Sequence, residues 1–358
     1  MRVAVLWTGL SGYLNACLRE LASRPGVELF VAHEATSSEA PYEEGLFAWM
    51  KNEVVWRDER DFDRLHTRLE AFSPDVVVVA GWHVPIYRRI MKPLKGRCLR
   101  LMTMDNYWKG TLRQRLGTIV SARYVLPMAD AAWVPGHHQA NFARRLGFPL
   151  SNILLGSLSC EQPEFAAVYQ KRMERGTPLP HAFIFVGRLI EAKGIVTLAQ
   201  AYERYRQTTQ DPWPLIVCGV GPLQSLLADK SGIQLKGFVQ PADLPQQMAN
   251  AGCLLLPSIF EPWALVVNEA TAAGLILVAT QNVGAVPHLV HNYYNGFVVN
   301  AGDVANLAEV MNRVSNMDSK RQERMSRASH ELSCQYTPAR WADSLLEFAL
   351  DRRVGQGC

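Results

Sequence analysis

Residues 182–207 read AFIFVGRLIEAKGIVTLAQAYERYRQ. The apolar run Ala182–Val186 stops at Gly187. After Lys193-Gly194, apolar residues recur at three- and four-residue intervals through Gln207. A short β-branched and aromatic run bounded by glycine predicts a strand, and the later spacing predicts an amphipathic helix. Strand, loop and helix in this order are half of a parallel βαβ unit.

The pattern repeats in both directions. Downstream, strands are expected at Leu215–Cys218, Gln234–Lys236, Gly252–Leu256 and Leu275–Ala279. Upstream, strands are expected at Arg2–Leu6, Val27–Ala32, Val54–Trp56, Asp75–Ala80, Cys98–Met104 and Ala131–Val134, with helices at Tyr13–Ser23 and Asp61–Phe72. Runs such as Val76–Ala80 are apolar without alternation, as a strand covered on both faces must be. The expected class is therefore α/β, with two Rossmann-like, doubly wound domains facing each other across a cleft. Ligands of such sheets sit beyond the carboxyl ends of the strands. The 358 residues suit two domains, expected at 1–160 and 161–337. Pro163, Gly176, Pro178 and Pro180 make Leu158–Pro180 the expected linker.

Composition narrows the class. An apolar fraction of 48% with 20% charged residues excludes a disordered or low-complexity chain. No apolar run approaches the ~20 residues of a membrane helix. Arg2 precedes an apolar run too short for a signal peptide. Seven cysteines without a C-x-x-C pair suggest reduced thiols in a cytoplasmic protein.

Chemistry gathers at the expected strand ends of the second half. Arg188 and Lys193 flank a glycine and a helix start, which suits a diphosphate. Cys218-Gly219-Val220-Gly221-Pro222 allows close backbone approach to a ligand, although it is not a dinucleotide fingerprint. Gly237-Phe238-Val239 could meet a flat base edge. Glu261 and Glu269 stand eight residues apart. Pro262 suits a first helical position, which would set Glu261 at a helix entrance and Glu269 about 12 Å along it. Glu269 lies in an apolar run, where a carboxylate needs partners. Gly284-Ala285-Val286 could offer N–H groups to a phosphate.

This ordered set resembles the retaining, nucleotide-sugar-dependent glycosyltransferases of family 4, which have the GT-B fold. The resemblance covers nearly the whole chain and is most specific over 183–300. It implies that Arg188 and Lys193 hold the donor diphosphate and that Glu269 accepts hydrogen bonds from the ribose hydroxyls. Glu261 would contact the donor sugar, the backbone at Gly237, Phe238 and Val239 the base, and Gly284, Ala285 and Val286 the sugar or distal phosphate. Gly9 and Gly12 match the first-loop glycines that come near the donor phosphates. The family usually carries a His or Asp after the fifth strand. Here Asp105 is the candidate, unless it merely caps a helix over Asn106–Leu112. His83 competes for that place, and His137 and His138 rank lower. Trp263 and Ala264 stand where the family has Phe and Gly, which suggests a reshaped sugar pocket. The family's Gly-Gly-x-Pro-Glu becomes Val283-Gly284-Ala285-Val286-Pro287-His288.

The implied reaction is substitution at the anomeric carbon with retention, by same-face attack. It needs no metal and no cofactor beyond a UDP- or GDP-type donor. The family's last helix, expected within 338–358, crosses back to the first domain. The alternatives are a GT-B sugar-nucleotide epimerase or a catalytically silent binding subunit of a transferase.

The net charge of +4 resolves into −5 over residues 1–80, +10 over 81–150 and −1 over 151–358. A basic acceptor-side domain suits a glycan or lipid-linked acceptor of polysaccharide biosynthesis at the inner face of an anionic membrane. The basic region 88–115 is the expected peripheral contact, and Ile86–Lys92 has the look of an interfacial helix. No nucleic-acid motif accompanies the charge.

Overall fold

Two all-parallel sheets absorb the apolar runs. The structure is a computed structural model that describes residues 1–35 and 47–354. The first sheet contains β1 (Arg2–Trp7), β2 (Glu28–Glu34), β3 (Glu53–Trp56), β4 (Val76–Ala80), β5 (Leu99–Thr103), β6 (Ala131–Val134) and β7 (Ile153–Leu155). The second contains β8 (Phe183–Val186), β9 (Leu215–Cys218), β10 (Ile233–Gly237), β11 (Cys253–Leu256), β12 (Ile276–Thr280) and β13 (Gly296–Val299). Their orders are β3-β2-β1-β4-β5-β6-β7 and β10-β9-β8-β11-β12-β13. Each sheet thus reverses its winding once, between β1 and β4 in the first and between β8 and β11 in the second. Loops at such a reversal diverge and leave a crevice at the carboxyl ends of the strands.

The core explains the unbroken apolar strands. Ala4, Leu6, Val77 and Val79 pack into one cluster, and Val3, Val5, Val76 and Val78 into another. Successive side chains point to opposite faces. Every position of these strands except Arg2 is therefore buried.

The chain divides into two units, Met1–Cys160 with Pro338–Cys358, and Glu161–Thr337. The helix Pro338–Val354 completes the first unit, while residues 355–358 lie outside the described ones. Its Trp341 packs on Trp133 with ring centroids 4.6 Å apart and donates from Nε1 to the Ser157 carbonyl at 2.9 Å.

The boundary between the units, at Cys160 and Glu161, falls inside the expected linker, but most of that stretch is folded into the second unit. The centre of the stretch is the helix Gln162–Glu174, with Pro163 in the first turn, where a missing N–H costs nothing. Phe165 and Tyr169 are buried, Tyr169 stacks on His330, and Arg172 pairs with Glu323 at 2.6 Å.

Candidate active site

At the carboxyl edge of the second sheet, glycines let three loops continue the ladder. Gly187 N–H donates to the Cys218 carbonyl at 2.9 Å, and Gly219 N–H to the Gly237 carbonyl at 2.7 Å. Leu189 N–H reaches the Val220 carbonyl at 2.9 Å. Gly219 has φ +151°, and a Cβ there would lie 1.9 Å from the Gly187 oxygen. Gly194, at φ +70°, is equally constrained: its Cβ would lie 2.0 Å from the Pro257 oxygen. This close approach ties the loop after β8 to the loop after β11 across the reversal point. Phe238 and Val220 stand exposed on the adjoining loops. The Arg188 side chain is exposed and has no ion pair among the described residues.

Lys193 and Glu261, given separate roles by the sequence, meet directly. The Lys193 ammonium donates to Glu261 Oε1, and Ser258 Oγ donates to the same oxygen at 3.0 Å. Glu261 is 7% exposed. A carboxylate so buried is tolerable only with such partners. Its backbone is held as firmly, because Glu261 N–H donates to Asn282 and its carbonyl accepts from Gly284 N–H at 3.1 Å.

The expected helix around Glu261 is displaced. Glu261 lies in an extended bridge with Val283, and the helix begins only at Leu265. Ala264 intervenes at φ +81°, a left-handed conformation that no continuing helix allows. The 12 Å helical spacing of the two glutamates therefore does not apply. Glu269 sits midway along the helix Leu265–Ala272, half-buried, with no hydrogen bond or ion pair to its carboxylate among the described residues. Burial pushes its pKa up to about 7. Sequence reasoning missed the amides of Leu265 and Val266, which open this helix without a backbone acceptor among the described residues. First-turn N–H groups of this kind attract anions. Ala264 in the family's glycine position was their only sequence signal.

Two further expectations change. The N–H groups of Gly284, Ala285 and Val286 already donate to Glu261, Trp263 and Val283. They brace the Glu261 segment and are not on offer to a phosphate. Trp263 is buried against His288 and Tyr336 and donates to Asn268 Oδ1 at 2.9 Å, so it supports the loop from inside.

In the first unit, Gly9 lies exposed after β1 and Gly12 opens the helix Gly12–Ser23. Ser11 Oγ and Asn15 Nδ2, both buried there, have no hydrogen-bond partner among the described residues. His83 and Asp105 stand exposed after the neighbouring strands β4 and β5, whose loops are joined by Gly81 N–H donating to the Thr103 carbonyl at 2.9 Å. Asp105 caps no helix: residues 106–110 are irregular, and the next helix is capped by Thr111. Protein packed around the Asp105 carboxyl pushes its pKa up, and the charge of His83 opposes this. His137 and His138 open the helix after β6, and His138 packs on Tyr107 at 5.3 Å.

The basic stretch is not uniform. Arg100 is buried and bidentate to Asp130, and Arg97 pairs with Glu70 at 2.7 Å. Ile86, Tyr87, Ile90 and Met91 of the helix Pro85–Met91 are core residues. That helix faces the sheet and is not interfacial. No described helix is long and apolar enough to cross a membrane, and no three His, Cys, Asp or Glu gather as a metal cluster among the described residues. A cavity of about 360 Å³ opens at the opposite, amino-terminal edge of the second sheet, near Lys171, Arg175, Pro178 and Asn250, away from all the motifs.

Residues 176–331 match the family described as Glycosyl transferases group 1. This chain resembles the group 1 glycosyltransferases. It is 30% identical over 164 residues to glycogen synthase of Mycobacterium tuberculosis, covering 44% of this chain and 39% of that protein. It is 30% identical over 187 residues to the putative teichuronic acid biosynthesis glycosyltransferase TuaC of Bacillus subtilis, covering 51% and 45%. The matches span less than half the length of these relatives. Among solved structures, HepE of Anabaena in complex with UDP aligns over 97% of this chain and 99% of that one, with TM-score 0.73 at 15% identity. Sucrose-phosphate synthase from Thermosynechococcus elongatus aligns over 100% of both, with TM-score 0.70 at 17% identity. These likenesses establish the fold: two Rossmann-like units of the GT-B type.

Proposed function

We propose that this protein is a retaining glycosyltransferase that moves a sugar from a UDP- or GDP-type donor to a glycan or lipid-linked acceptor. The observation that carries the reading is the Lys193–Glu261–Ser258 cluster across the reversal point of the second sheet, just ahead of the short helix that carries the Glu269 carboxyl, which has no partner among the described residues. The HepE complex with UDP supports a nucleoside diphosphate.

Glu269 accepts hydrogen bonds from the two ribose hydroxyls, and the Gly237–Val239 segment meets the base. Arg188, Lys193 and the Leu265 and Val266 amides neutralise the leaving diphosphate. Placed before the reaction starts, such charges lower the barrier without reorganisation. Glu261 orients the donor sugar through its hydroxyls. Asp105, with His83 beside it, directs the acceptor hydroxyl or steadies the oxocarbenium-like charge. The acceptor attacks from the face the diphosphate leaves, its proton passing to the departing oxygen, and configuration is retained. The basic first unit works at the cytoplasmic face of an anionic membrane, and no metal takes part.

Calorimetry with UDP- and GDP-sugars, on wild type and Glu261→Gln, tests the donor. Silence towards every nucleotide sugar sinks the reading. An epimerised sugar formed without acceptor marks an epimerase instead, and undiminished turnover in EDTA is expected of a metal-free enzyme.

A further inference from the structure

We propose that the helix Leu112–Tyr124 is the surface by which the first unit rests on an anionic lipid bilayer. Of its thirteen residues only Ser121 is buried, donating from Oγ to the Leu146 carbonyl at 2.6 Å. At ~100° per residue, Leu112, Leu116, Ile119, Val120 and Tyr124 fall within an arc from about −20° to about 120°, and Ser121 falls at about 180°. These apolar residues lie on the side turned away from Ser121, with Arg123 at about 20° and Arg113 at about 100° set among them. The apolar residues are 79%, 63%, 76%, 44% and 51% exposed. Five large apolar side chains exposed on one helix, interleaved with arginines, are more apolar surface than a water-facing helix ordinarily presents.

Charge selects the occupant. Arg113, Arg115 and Arg123 are exposed along the same helix, and no acid occurs between Asp105 and Asp130. A second copy docked on this stripe would set arginines against arginines with nothing to pair them. A bilayer suits both features: the stripe enters the headgroup–acyl boundary and the guanidinium groups meet lipid phosphates. The helix Pro85–Met91 cannot take this place, since its apolar side is already in the core. The inference rests on the membrane-side acceptor proposed above and names the element that makes the contact.

The test floats the full chain with vesicles of phosphatidylcholine alone and of phosphatidylcholine mixed with phosphatidylglycerol. Wild type should rise with the mixed vesicles only, and less so at high salt. Leu116→Glu with Ile119→Glu should lower the bound fraction at least roughly tenfold, and Arg113→Glu with Arg123→Glu should do likewise. Nucleotide-sugar binding by the same variants should be unchanged, which shows that they fold and keeps the donor reading separate. Wild type that ignores both vesicles overturns the inference and the membrane contact together. Wild type and variants floating equally overturn the inference alone. A wild-type dimer that the glutamate variants dissociate, with no vesicle binding, assigns the stripe to a second copy.

Discussion

Glu269→Gln should stabilise this protein at alkaline pH while weakening its hold on nucleotide. Burial raises the Glu269 pKa from 4.5 to about 7. The folded state therefore keeps a proton that the unfolded chain has lost, and stability from this group falls as pH climbs through that window. At 1.36 kcal/mol per unit, the cost is about 3 kcal/mol at pH 8 and about 1 kcal/mol at pH 5. The amide has no proton to lose. Urea denaturation of both forms should show the stability difference shifting in favour of the variant by about 2 kcal/mol between pH 5 and pH 8. With saturating UDP the ranking should reverse, because ribose hydroxyls give the wild-type carboxylate the partners it lacks. Parallel pH profiles of the two proteins would refute the reasoning, as would UDP stabilising them equally.

Three further outcomes follow from single residues. Lys193→Ala leaves the Glu261 carboxylate buried without its cation and should cost about 3–5 kcal/mol of second-unit stability by denaturation, part of it restored by adding Glu261→Gln. Gly219→Ala drives a Cβ into the Gly187 oxygen; loss of nucleotide binding by calorimetry should accompany a drop in Tm. Ala264→Gly should relieve the left-handed strain and raise stability by about 1 kcal/mol, unchanged stability arguing that the loop is unstrained.

The interior strands were readable because parallel strands buried on both faces need unbroken apolar runs. The edge strands β7 and β13 were not: Ile153–Leu155 is three residues long and only partly covered, and Gly296–Val299 begins on a glycine that reads as a turn. Prolines misled twice. Pro163 opens a helix within the supposed linker, and Pro262 precedes one by three residues because Ala264 turns left-handed first. The amphipathic Ile86–Lys92 pattern has the same form whether its apolar side meets lipid or a sheet. In the site, Lys193 and Glu261 were legible as residues but not as a pair, because 68 residues separate them. Their meeting depends on the β8–β11 adjacency that only the folded sheet provides.

The helix Pro338–Val354 belongs to the first unit although the whole second unit precedes it in the chain. The first unit is thus encoded in two pieces, with the second inserted between them. During synthesis, the second unit has everything it needs before the first does. Until Trp341 emerges, Trp133 lacks the partner it packs against, and the nascent first sheet shows an apolar face that chaperones could bind. A cut just before Pro338 would leave the second unit's sequence whole and yet unsettle the first.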